Sequence, residues 1–312
     1  MIRMESAVRA CEGSLRDART FILASENLPS PRGVALQLMD LARDPEAGIA
    51  DAVRLVKSDP ALSAFILRAA NAARFAGAAP LADVHRAVAR LGMNMVRVYA
   101  IALSMMNQHR RGRCAGFDYA RYWARSLFSA IAMQKLAWHC DGFAGDEAFV
   151  LGLLARIGEL AFATGAPDEY ATLLRRCKAS GAEREMVQRS VFGFDQNELA
   201  AVLLAQWGVA TTLAEVVYWQ QDPEAGGFGP DSTPYRLAGA LRLAGDLADG
   251  SLAPEDAPQA ASSAYLRAQL LDLDPAEVRR VAQETLEEWG DWAATIGLPR
   301  VAAVAFPETA AQ

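Results

Sequence analysis

The residues able to do chemistry in this chain are three histidines and four cysteines, with 37 Asp and Glu set against 31 Lys and Arg. Metal or acid–base chemistry on a helix needs imidazoles and carboxylates on one face, three or four residues apart. His85, His109 and His139 show no such spacing, and each reads as a surface or capping histidine. His139-Cys140-Asp141 sets three potential ligands side by side, but adjacent residues at a helix end point apart. Cys11, Cys114, Cys140 and Cys177 lack CxxC spacing, which predicts packed, reduced thiols. No GxGxxG or GKT phosphate loop is present, and no Ser-His-Asp set can be assembled. The basic run HRRGR at 109–113 has no interleaved aromatics and reads as a solvated loop.

The scaffold for these residues is expected to be helical. Of the 312 residues, 52% are apolar and 22% charged, which excludes a disordered chain. A net charge of -6 gives no global attraction to nucleic acid or anionic lipid, so neither is an expected partner. The longest apolar candidate, VYAIALSMMN at 98–107, is about half a membrane span, and the N-terminus has no signal-like apolar run, so a cytoplasmic location is expected. Apolar residues recur at three-four spacing and no stretch alternates like a strand, which predicts an all-α multi-helix bundle.

In SDPALSAFILRAANAARF, Ser58 or Asp59 is placed to cap a helix that Pro60 opens, with Leu62, Phe65, Ile66 and Ala69 as its buried stripe. Arg68 suits the C-terminal dipole, and Asn71 suits a left-handed stop. In ADVHRAVARLGMNMVRVYAIALSMM, Asp83 is placed to cap a short helix, Gly92 to end it and Asn94 to start the next. That second helix is too apolar to lie in a DNA groove. Trp123, Trp138, Trp207 and Trp219 read as core, and Trp289 and Trp292 as cover for the core or a partner. SLAPEDAPQAASS, from 251, reads as a linker before two helices, the second of which carries an apolar stripe (Val278, Val281, Ala282, Leu286, Trp289) expected to dock on the same bundle.

Taken in order, the stretch from LPSPRGVALQL through the 58–75 helix, VHRAVARLGMNMVRVYAIALS, YWARSLFSAIAMQKLA and AFVLGLLARIGEL resembles an HDOD domain over about residues 20–250. Its expected organisation is an N-terminal helix at 1–26, the domain at 27–250 and a C-terminal helical extension at 251–312. Asp59, Pro60, Arg68, Asn71 and Gly92 carry the signature.

The HDOD family is similar to HD-type phosphohydrolases, whose metals are held by a His, a His-Asp pair and a later Asp. The resemblance puts Ala155-Arg156 where the His-Asp pair stands and Arg125 near the first His. Gln196, Gln220 and Gln221 fall where further histidines occur, and Asp246 alone keeps the type of the final Asp. A methyl and a guanidinium cannot ligate a metal. No catalytic residue, metal or cofactor is therefore expected. The resemblance implies a non-catalytic regulatory or scaffold protein of bacterial signal transduction, in contact with other signalling proteins of cyclic di-GMP or two-component networks. The alternatives are a nucleotide sensor in the vestigial cleft (Arg125, Arg156, Gln196, Gln220, Gln221, Asp246) and a residual metal-dependent phosphohydrolase. In that cleft the arginines are expected either to bind an anion or to pair with Asp246, Glu159 or Asp195.

Overall fold

The computed structural model describes residues 17–25, 27–42, 44, 46–71, 80–140, 143–177, 182–299 and 301–307. Among them every regular element is helical and there is no strand. Cys11 and most of the expected N-terminal helix lie outside the described residues; helix α1 occupies 17–24.

The first layer is α2 (Val34–Leu41), α3 (Ile49–Lys57), α4 (Pro60–Ala70), α5 (Val84–Leu91) and α6 (Met93–Gln108). Asp59 accepts hydrogen bonds from the Ala61 and Leu62 amides, which fixes the start of α4 at Pro60. Leu62, Phe65, Ile66 and Ala69 are buried as the stripe requires. Asn71 ends α4 at φ -101°, in the right-handed region and not the expected left-handed one. Its side chain instead clamps both backbone groups of Leu81 at 2.8 Å. Asp83 caps α5 through the His85 amide. Gly92 closes α5 at φ 82° and is also the residue before α6, so Asn94 lies inside α6, exposed, and does not cap it.

The centre of the molecule is α7 (Tyr119–Leu136), which packs along α8 (Gly145–Leu154), α14 (Thr233–Leu252) and α16 (Pro275–Thr295). Fourteen of its residues are buried, so this helix has no solvent face to speak of and acts as the shared wall of the bundle. A side turn at Ala155-Arg156 separates α8 from α9 (Ile157–Gly165). The stretch Glu147–Gly165 has the length and apolarity of a membrane span, yet it is 83% buried inside the protein. Then come α10 (Pro167–Arg176), α11 (Ala182–Phe192), α12 (Gln196–Gln206) and α13 (Thr211–Trp219). Phe21 of α1 packs on Phe162, Phe192 and Phe194, joining the N-terminal segment to α9 and α11.

Two expectations fail here for local reasons. Only 253–256 separate α14 from α15 (Ala257–Ala268), because Pro258 sits in the first turn of α15, where a missing N–H costs nothing, and the alanines that follow favour helix. The expected linker is thus mostly helix. Trp138 is 80% exposed, since the chain tightens into a 3-10 turn at Ala137–His139 and swings it off the core face. Trp292, by contrast, is buried against Phe65 and Phe149, with the Arg68 guanidinium 4.9 Å from its ring centre. Arg110, from the basic run, donates to the Ile296 and Gly297 carbonyls at the end of α16. These contacts dock α16 on the first layer.

Candidate functional site

Arg125 and Asp249 face each other between α7 and α14. The guanidinium makes two parallel bonds to the carboxylate, Nε to Oδ1 at 2.5 Å and Nη2 to Oδ2 at 2.6 Å. Asp249, not Asp246, is therefore the partner of Arg125. Asp246 bonds instead to Arg267 of α15 at 3.1 Å. The two are three positions apart on α14 and share a face, so height along the helix decides the pairing: Asp249 meets Arg125 of α7 and Asp246 meets Arg267 of α15. Burial pushes the Asp246 carboxyl up to about 7; Arg267 opposes this and Asp249 adds to it.

Arg156, in the turn between α8 and α9, pairs with Glu159 one turn on. Burial alone would raise the Glu159 carboxyl, but Arg156, Arg184 and Arg125 together outweigh it and hold it below the usual range. Ala155 is buried beside this pair. Close packing brings α12 to the same place: at Gly158 an added Cβ would overlap the backbone carbonyl of Gln196.

Gln196, Gln220 and Gln221 come together around Glu185 of α11. The Glu185 Oε1 atom accepts from Asn197 Nδ2 at 2.8 Å, Gln221 Nε2 at 3.2 Å and Gln196 Nε2 at 3.3 Å. Gln220 donates to Asn197 Oδ1 at 2.8 Å, and the Gln196 amide donates to Gln188 Oε1 at 2.9 Å. Asp195 caps α12 and pairs with Arg189. The six residues expected in the cleft thus fall into three adjoining clusters, centred on Glu159, Glu185 and the Asp246–Asp249 face.

A metal pair does not fit these residues. Glu159 and Asp249 are bound by guanidiniums, and Glu185 is faced by amide N–H groups that would repel a cation. Among the described residues no three His, Cys, Asp or Glu side chains form a ligand set. What the clusters can do is hold charge and hydrogen bonds in place.

Sequence reasoning missed Asp249, Arg184, Glu185, Asn197, Tyr122 and Tyr170. Asp249 had a signal, its i, i+3 spacing from Asp246. Arg184 and Glu185 had none, because their approach depends on how α11 folds back on α9. His85 is exposed, and His109 and His139 are half-buried apart from these clusters. Cys114, Cys140 and Cys177 are buried free thiols.

Residues 28–223 match the HDOD domain family. Among solved structures, the chain is similar to the MmoQ response regulator of Methylococcus capsulatus str. Bath. The identity is 34%, with 82% of this chain and 98% of that one covered and a TM-score of 0.51. It is also similar to a candidate phosphohydrolase of Shewanella amazonensis SB2B, at 27% identity over 87% of this chain and 94% of that one, with a TM-score of 0.60. An uncharacterized protein of Treponema pallidum (strain Nichols) is 21% identical over 59% of the chain, which spans 36% of that protein's length.

Proposed function

The chain belongs to the HDOD family, and from that premise we propose that it is a non-catalytic regulatory module of bacterial signal transduction, cytoplasmic, working through contacts with other signalling proteins. The observation that carries this reading is the pair of guanidiniums, Arg125 and Arg156, at positions where related hydrolases would hold metal. Each is locked to a carboxylate, Asp249 or Glu159. Hydrolysis of a phosphoester by an HD-type site requires an activated water between cations, and fixed positive side chains supply no such nucleophile. The likeness to a protein named as a response regulator supports a place in signalling, with two-component or cyclic di-GMP proteins as the partner class.

The test is metal content by mass spectrometry on protein purified without chelator, paired with hydrolysis of bis(p-nitrophenyl) phosphate in added Mn2+. Substoichiometric metal and no turnover are expected. One or two equivalents of iron, manganese or zinc together with turnover would overturn the reading in favour of a residual phosphohydrolase. A second reading, a sensor of nucleotide or anion in the same cleft, is favoured by the number of arginines gathered there.

A further inference from the structure

Several donors around Glu159 are buried without a hydrogen-bond partner: the hydroxyls of Tyr122, Ser126 and Tyr170, the Gln188 amide nitrogen, Arg125 Nη1 and Arg184 Nε. Tyr170 and Gln188 are fully buried, and Ser126 is 1% exposed. Tyr122 lies near Ser126 and Tyr170 near Gln188, but neither pair closes into a good hydrogen bond. An unmet buried donor loses its hydration without a replacement, so several in one place weigh heavily against a domain's small net stability unless something accepts from them.

The charges have the same sense. Arg125, Arg156 and Arg184 act on Glu159 together, and Asp249 is the second carboxylate among them. Arg125 and Arg156 each bond a carboxylate, whereas Arg184 makes no ion pair among the described residues, so its positive charge is left to be answered. Water would answer the donors but not that charge; an oxyanion answers both. Burial, and then the charge of Glu159, raises both tyrosine hydroxyls, so they stay neutral donors. Arg156 and Arg184 are only partly buried, so the cluster meets solvent at these two side chains.

We propose that the arginine–tyrosine cluster around Glu159 binds one phosphoryl oxyanion and holds it unhydrolysed. Arg184, Arg125 Nη1 and the Tyr122 and Tyr170 hydroxyls are its ligands. The proposal rests on the non-catalytic reading of the cleft and gives that cleft a ligand class. The source of the phosphoryl group is either free phosphate or the phosphate end of a nucleotide.

Isothermal titration of the full chain, in buffer containing EDTA, with inorganic phosphate and separately with adenosine and guanosine monophosphate, tests it. One saturable site for at least one probe is expected, and the tighter probe identifies the source. Arg184→Gln is expected to weaken binding at least tenfold and Tyr170→Phe several-fold, while Arg113→Gln, a cation outside the cluster, leaves it unchanged. Tyr170→Phe removes a hydroxyl but no packing, so its melting temperature in phosphate-free buffer should equal or exceed that of the wild type, and phosphate should no longer raise it fully. The absence of saturable binding with every probe, or binding unaltered in both cluster variants, would overturn the proposal. Such a result leaves the non-catalytic reading standing, because that reading fails only on bound metal and turnover.

Discussion

Asp249 shows how much of the site is decided by single side chains. It holds Arg125 through two bonds, and its side chain is 27% exposed against 16% for Arg125. Asp249→Asn should therefore cost about 2 kcal/mol, the worth of charge-assisted bonds plus a guanidinium left half-buried and unpaired. Urea denaturation measures this, and a double replacement by apolar residues of similar size, Arg125→Met with Asp249→Leu, should recover most of the loss. Asp246 titrates in the opposite sense from a stabilising carboxylate. Its folded pKa of about 7 lies above the usual 3.8, so the native state holds a proton that the unfolded chain releases. Stability from this group is full below the unfolded pKa and is lost as pH rises from about 4 to about 7. Asp246→Asn should flatten that fall, seen as a smaller difference in urea midpoint between pH 5 and pH 8; an unchanged difference would remove Asp246 as its source. The Arg156–Glu159 pair was readable from its i, i+3 spacing, whereas the partner of Arg125 needed the placement of α14 along α7.

At the scale of the element, α9 and α12 are held together by a missing side chain. Gly158 lets the two backbones meet at the Gln196 carbonyl, and this approach sets Glu159 and Gln196 beside one another. Gly158→Ala must push the helices apart, because a methyl group cannot share space with a backbone oxygen. We expect a loss of about 3 kcal/mol or more, at the upper end for overpacking, together with faster amide exchange in α9 and α12. A melting temperature unchanged by this replacement would mean the helices are not in contact there. The caps of α4 and α5 were legible because a cap is a local device, one carboxylate and the one or two amides just after it. The failure at Asn94 is equally local: Gly92 both ends α5 and begins α6, which leaves Asn94 no turn to cap.

For the whole molecule, the family match and the physical core have different limits. The match ends at 223, yet α14 and α16 lie along α7, and Trp289 and Trp292 are buried in the same core. A fragment of residues 28–223 should therefore expose one wall of α7 and fail to fold cooperatively, as read by circular dichroism on heating and by gel filtration; a sharp melt of a monomeric fragment would contradict this. The helical period, the caps, the apolar stripes and the absence of paired histidines were determined by sequence alone, since each depends on residues within a turn or two of one another. The HDOD resemblance followed from motifs in order along the chain. Only the tertiary structure decided that Arg125 meets Asp249, that three amides turn toward Glu185, that Trp138 faces solvent and that buried tyrosine hydroxyls gather around Glu159. Those outcomes depend on the rotation and depth of helices distant in sequence, and packing fixes these through the summed fit of many side chains that no local pattern records.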